Sequence, residues 1–146
     1  MAHYNGQNHV TKDQYEMHLI SHIHWDREWY RTFQDSRAKL VKTIDKLLLL
    51  LDSNPDYRYF VLDGQAVILE DYLEIHPEKE ELLKKCVSQG KLFVGPWYTL
   101  PDEFLVSGES IIRNLMLGHK ISSRFGRVMK VGYVPDQFGH ISQLPQ

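Results

Sequence analysis

MHLISHIHWDREWY, residues 17–30, is the stretch on which the fold reading turns. Met17 to Ile23 predicts a strand. Directly behind it come His24, Asp26 and Trp29, three residue types that carry chemistry. In parallel α/β sheets ligands bind beyond the carboxyl ends of the strands, and in barrels the catalytic groups sit there. The rest of the chain decides whether that rule applies.

From Asp35 onward the pattern becomes helical. Phe33, Leu40, Val41, Ile44, Leu47, Leu48 and Leu51 recur at helical spacing, with Asp35 or Ser36 as the expected cap. Asp52-Ser53-Asn54-Pro55 ends that helix, and Tyr57 to Leu62 is aromatic and β-branched enough to predict a second strand. After Asp63-Gly64 comes a helical region in two pieces, split near Ile75-His76. Its second piece has Pro77 at the start and Gly90 just past the end. Leu92 to Val94 predicts strand three, and the loop WYTLPDEFLV (97–106) follows Gly95-Pro96. Ser107 caps a helix carrying Ile111, Ile112, Leu115, Met116 and Phe125, with Gly126 as its terminator. Val128 to Val134 predicts strand four, and PDQFGHISQLPQ (135–146) completes the chain.

The expected topology is βαβαβαβ, an α/β fold with a parallel sheet and helical crossovers. Strands recur every roughly 35 to 40 residues. A closed (β/α) barrel takes about 250 residues, so 146 residues correspond to the first half of one. The expected organisation is a polar tail over 1–14, then 15–146 as the N-terminal portion of a distorted (β/α) barrel, cut after the fourth strand with helices outside. Hydrophobic and charged contents of 42% and 25% fit a globular domain, and a net charge of −2 gives no footprint for nucleic acid or an anionic membrane. The longest apolar run, Leu47 to Leu51, is too short to span a bilayer. A single cysteine, Cys86, on an amphipathic helix excludes an internal disulfide framework and makes a reducing cytoplasm the expected compartment.

The polar and aromatic clusters fall on one rim. His24, Asp26 and Trp29 follow strand one, and Asp63 follows strand two. Trp97, Asp102 and Glu103 follow strand three; Asp136, Phe138 and His140 follow strand four. The opposite loops hold little but turn residues. In extended chain, positions i and i+2 point to the same side, so His24 and Asp26 can converge on one cation, with His22 on the same face. Zinc accepts both nitrogen and oxygen ligands, and Asp136 is a candidate third. The plainer alternative is a His24–Asp26 pair in which Asp26 caps the following helix. A tryptophan at a polar rim can stack on the C–H face of a sugar or simply pack. Glycoside hydrolysis needs two carboxyl groups flanking the bond. Asp63, Asp102, Glu103 and Asp136 qualify by position, and spacing does not rank them.

His24-x-Asp26-x-x-Trp29 followed by Asp136-x-Phe138-Gly139-His140 resembles glycoside hydrolase family 38, the zinc-dependent retaining α-mannosidases. The stretches SHIHWDREWY, FVLDGQ, GPWYTLPDEFLVSGES and GYVPDQFGH resemble its bacterial branch, which includes mannosylglycerate hydrolases. The resemblance runs from about Met17 to the last residue. It implies that His24 and Asp26 are zinc ligands and that Asp136 is both ligand and nucleophile. It also implies that Trp29 stacks under the mannose, that Phe138 helps line its subsite, and that His22 and His140 support the ligands. Asp63, Trp97, Asp102 and Glu103 are expected to help bind substrate.

The family's remaining zinc ligand and general acid are a histidine and an aspartate further downstream. The expectation is therefore an α-mannosidase, or a mannosylglycerate hydrolase, of which these 146 residues alone are inactive and hold zinc weakly. Expected substrates are a mannoside oligosaccharide or a mannosylglycerate, and the full-length protein is expected to be oligomeric. Two alternatives remain: a metal-dependent polysaccharide deacetylase, and a non-catalytic module binding sugar through Trp29 and Trp97.

Overall fold

The computed structural model describes residues 15–146, so the expected polar tail over 1–14 lies outside the described residues. Helix α1 (Phe33–Ser53) buries Leu40, Ile44, Leu47, Leu48 and Leu51, a stripe repeating every three to four residues. Its cap is Thr32, whose hydroxyl accepts from the Asp35 N–H. That corrects the expected caps. Asp35 lies in the first turn, where its carboxylate accepts a hydrogen bond from the Thr32 hydroxyl at 2.7 Å, and Ser36 is buried.

Strand β1 (Phe60–Val61) leads into α2 (Val67–Leu73). A 3-10 turn, Pro77–Lys79, introduces α3 (Glu80–Ser88), so the helical region is split where expected. Strand β2 (Leu92–Phe93) pairs with β1 in parallel, Phe60 opposite Leu92 and Val61 opposite Phe93. Helix α4 (Gly108–Ser123) starts from Ser107, whose hydroxyl accepts from the Ser110 N–H. Its buried face is Ile111, Gly118, Ile121 and Ser122, while Ile112 and Met116 are exposed.

The chain is an α/β fold with a small parallel sheet. Only two of the four expected strands form a ladder. The first segment is held by one bridge, His22 to Val61, with the Val61 N–H donating to Ser21 O at 2.9 Å. The fourth touches the sheet where the Met129 N–H donates to Val94 O at 2.9 Å. The spatial order therefore follows the chain order: first segment, β1, β2, fourth segment. Parallel strands need apolar cover on both faces. Met17, Leu19, Ile20 and Val131 are exposed, so among the described residues that cover is missing where pairing fails.

The core joins α1, α2 and α3 to the sheet through Leu40, Leu62, Ile68, Leu83 and Val94, all with no exposed surface. Truncating one such leucine to alanine typically costs about 2–5 kcal/mol. Cys86 belongs to this core, and its burial pushes the thiol above its ordinary pKa. No described helix is long and apolar enough to cross a membrane.

Helix α4 is locked onto the loop after β2. A Cβ on Gly118 would stand 2.2 Å from Pro96 O and 2.3 Å from the Trp97 carbonyl carbon. Four residues earlier, Asn114 Oδ1 accepts from the Tyr98 N–H at 2.8 Å and its Nδ2 donates to Thr99 O at 2.7 Å. A helix face and one side-chain amide thus hold the stretch 96–99.

Candidate active site

The ends of the four segments meet around Asp63. This residue sits at φ +46°, a left-handed conformation that aspartate tolerates better than most side chains, and its side chain has no exposed surface. Asp63 Oδ2 accepts from the Trp25 N–H at 2.6 Å and from Gln65 Nε2 at 2.8 Å. Tyr133 donates its hydroxyl to Oδ1 at 3.3 Å, and His24 Nδ1 stands 3.3 Å from each of the two oxygens. One carboxylate therefore ties segments one, two and four together.

The consequence for His24 follows from hydrogen-bond inventory. An ionised carboxylate only accepts, so Nδ1 carries the proton and Nε2 presents its lone pair in the neutral ring. Nε2 stands 3.6 Å from Asp26 Oδ1 and 3.3 Å from Asp136 Oδ2. Burial alone lowers the His24 pKa, but the charge and hydrogen bond of Asp63, with smaller contributions from Asp26 and Asp136, raise it above the usual histidine value. Burial and the same Asp63 charge push Tyr133 up to about 12, so its hydroxyl remains a donor.

His24, Asp26, Trp29, Asp102, Asp136 and Phe138 line one cleft of about 370 Å³. Six of the expected site residues therefore do converge. Trp29 and Phe138 are largely exposed, at 66% and 69%. Trp29 stacks on Tyr30 with ring centroids 4.7 Å apart. Asp26 caps no helix, because Thr32 does so for α1.

Three expected substrate contacts are corrected. Asp63 lies behind His24 rather than in the cleft. Trp97 is 2% exposed and donates its Nε1–H to Tyr133 O at 2.8 Å. Glu103 is 1% exposed; its carboxylate accepts from the Ile141 N–H at 2.9 Å and meets His140 Nδ1 at 3.4 Å. Each follows a strand end as expected, but its side chain is taken up by neighbouring backbone and side chains, leaving no surface for a sugar. His140 accordingly sits against Glu103. His22 meets Ile23 O at 3.2 Å and the Tyr133 hydroxyl at 3.3 Å.

Sequence reasoning passed over Gln65, Asp71 and Asn114. Gln65 is buried and bridges three segments, donating to Trp25 O and Asp63 while its Oε1 accepts from the Thr99 hydroxyl and the Leu100 N–H. Arg27 donates to both oxygens of the buried Asp71 at 2.8 and 2.9 Å, pinning the loop that carries Trp29 to α2. The available signal was Gln65 two residues past Asp63, and an aspartate on an otherwise apolar helix face.

The donor set suits zinc by chemistry: one imidazole nitrogen and two carboxylates, with separations near the roughly 3.3 Å between neighbouring ligands of a tetrahedral zinc whose bonds are about 2.0–2.1 Å. Yet among the described residues no group of three His, Cys, Asp or Glu side chains is arranged to hold a metal ion as it stands. His24 forms a pair with each carboxylate without the set closing.

A family described as glycosyl hydrolases family 38 N-terminal domain matches residues 14–146. A protein of Halalkalibacterium halodurans named "Putative mannosylglycerate hydrolase" is 48% identical over 130 residues, covering 88% of this chain and 14% of that protein. An alpha-mannosidase of Saccharomyces cerevisiae is 32% identical, over 87% of this chain and 12% of its own length. The crystal structure of an alpha-mannosidase from Enterococcus faecalis V583 superposes with a TM-score of 0.84 at 46% identity, covering 86% of this chain and 14% of that one. The chain thus spans about one seventh of the length of the proteins it matches.

Proposed function

The chain belongs to glycosyl hydrolase family 38, and from that membership we propose that a full-length protein carrying it hydrolyses terminal α-D-mannosides with retention of configuration. The membership sets aside the polysaccharide deacetylase alternative. The observation that carries the proposal is the convergence of Asp26 and Asp136 on His24 Nε2, at the mouth of a cleft walled by Trp29 and Phe138.

In this reading Asp136 is the nucleophile. Its carboxylate attacks the anomeric carbon to form a glycosyl ester, which water then opens with a second inversion. The resemblance assigns the proton donor for the leaving oxygen to an aspartate beyond residue 146, and the 146 residues alone are inactive in consequence. Trp29 lies under the sugar, its exposed ring facing the apolar side of the mannose. His24, Asp26 and Asp136 would hold zinc, which when bound supplies a Lewis acid for the sugar hydroxyls. The small parallel sheet is read as an arc of a (β/α) barrel in a cytoplasmic, oligomeric enzyme. The similarity to a protein named for mannosylglycerate hydrolysis favours a mannosylglycerate as a second substrate reading beside mannoside oligosaccharides.

The test is release of an aryl alcohol from an aryl α-mannoside by the full-length protein. Turnover lost with chelator, restored by zinc, and abolished by Asp136→Asn is expected. Hydrolysis insensitive to chelator would sink the metal, and an active Asp136→Asn would sink the nucleophile.

A further inference from the structure

We propose that the loop after β2, residues 97–103, is a splint that sets the position of Asp136, with Glu103 and Asp102 as positioning residues. This rests on Asp136 being the nucleophile.

Asp136 has few restraints of its own. Its side chain is half exposed, and its one described side-chain partner is His24. The backbone on either side of it, however, is clamped by the same loop. Three residues before Asp136, Tyr133 O accepts the Trp97 indole N–H at 2.8 Å. Two residues after it, the Phe138 N–H donates to Asp102 Oδ1 at 3.1 Å and Phe138 O accepts the Glu103 N–H at 3.0 Å. Further on, the Ile141 N–H donates to Glu103 Oε2 at 2.9 Å, and His140 Nδ1 meets Glu103 Oε1 at 3.4 Å. Five hydrogen-bonding contacts from one loop therefore bracket the segment that presents Asp136.

The bracket is also closed sterically. Gly139 has φ +73°, and a Cβ there would stand 2.4 Å from the Phe104 ring. Phe104 thus packs directly on the turn following Asp136, where only glycine fits. The loop is itself immobilised from behind, by Asn114 on Tyr98 and Thr99 and by the close approach of Gly118 to Pro96. A rigid path runs from α4 through the loop to the Asp136 backbone.

Burying the Glu103 carboxylate costs free energy unless its oxygens are satisfied. Here the satisfaction comes entirely from the 138–141 segment, so the cost is tolerated only while that segment holds this shape. The arrangement explains why the acidic pair Asp102-Glu103 sits at the rim: Asp102 lines the cleft yet ties down Phe138, and Glu103 faces away from the cleft. Displacing a reacting group by about 1 Å can cost on the order of 100-fold in rate. Slackening the splint should act on kcat more than on KM.

The experiment uses the full-length protein with Glu103→Ala, Glu103→Gln and Asp102→Ala, measuring kcat, KM, melting temperature and amide hydrogen exchange. Glutamine keeps an acceptor for the Ile141 N–H, and Asp102 is partly exposed, so those two variants report even if Glu103→Ala does not fold. For Asp102→Ala, and for Glu103→Ala if it folds, kcat falls about 10- to 100-fold with KM within about threefold. Glu103→Gln recovers most of the rate. Amide exchange at Phe138 speeds up in Asp102→Ala, and at Ile141 in Glu103→Ala. Unchanged kcat with accelerated exchange overturns the splint, as does unchanged exchange in both alanine variants or a KM effect alone. If the unaltered protein hydrolyses no mannoside, the functional reading fails, and the exchange data still decide whether the loop holds the segment.

Discussion

Asp63→Asn separates the buried support of the site from the groups that face the cleft. The substitution keeps side-chain size and tolerates φ +46° as aspartate does. It leaves one acceptor oxygen where there were two. Oδ2 receives the two short bonds, from the Trp25 N–H at 2.6 Å and Gln65 Nε2 at 2.8 Å; Tyr133 lies 3.3 Å from Oδ1, and His24 Nδ1 lies 3.3 Å from both oxygens. Turning the new NH2 group toward Trp25 and Gln65 would set donor against donor, at about 1–3 kcal/mol for each buried group left unpaired. The amide oxygen therefore takes the Oδ2 position, still within reach of His24 Nδ1, and the NH2 group takes the Oδ1 position, facing Tyr133 and the other side of Nδ1.

That weakens the support behind the imidazole. Nδ1 keeps one acceptor, shared with Trp25 and Gln65, and loses the carboxylate charge that favoured its proton, so the Nδ1–H form that leaves the Nε2 lone pair toward Asp26 and Asp136 is held less firmly. Loss of such a supporting hydrogen bond typically lowers metal affinity about 10- to 100-fold, equivalent to about 1.4–2.8 kcal/mol. Folding should suffer less, by about 1–2 kcal/mol, because the two shortest bonds survive. Competition against a chromophoric zinc chelator measures the affinity, thermal melting the stability, and long-range proton–nitrogen NMR the tautomer. Zinc affinity within threefold of the unaltered protein, with an unchanged tautomer balance, refutes the assignment of Asp63 as the group that orients His24.

Two other outcomes follow from packing. Gly118→Ala places a methyl 2.2–2.5 Å from the backbone of residues 96–98, which must move. Destabilisation of about 1–3 kcal/mol is expected, read as a lower melting temperature; an unchanged melt would mean α4 does not rest on that loop. Trp29→Ala should leave the melt unaltered, since the ring is largely exposed and stacks only on Tyr30. It should raise KM for an aryl α-mannoside about 10-fold, and an unchanged KM would remove Trp29 from the sugar site.

Local signals made the helices legible. The Leu40–Leu51 stripe, Pro77 at a helix start, Ser107 as a cap and Gly90 past an end each act within one or two turns, so the chain displays them directly. The outer strands were less secure because pairing is not local. Met17 to Ile20 has strand-like residues, yet among the described residues the segment makes backbone pairing bonds only just beyond it, through Ser21, His22 and Ile23. The site divides the same way. His24, Asp26 and Asp136 could be placed by the rule that strand ends meet on one rim, and they do meet. What that rule cannot distinguish is the direction in which a carboxylate at the rim points. Asp63 and Asp102 both follow strand ends. Asp63, in a left-handed turn, points inward to His24 and Trp25, whereas Asp102 lines the cleft. Glu103, the next residue, is turned inward onto Ile141. Asp63 and Glu103 are turned inward by donors 38 and 39 positions away in sequence, the Trp25 and Ile141 N–H groups and the ring of His24, whereas Asp102 takes the Phe138 N–H on one oxygen and still lines the cleft. A motif shows which carboxylates share a rim; whether distant donors take both oxygens, as at Asp63 and Glu103, or one, as at Asp102, determines which remain free to touch a substrate.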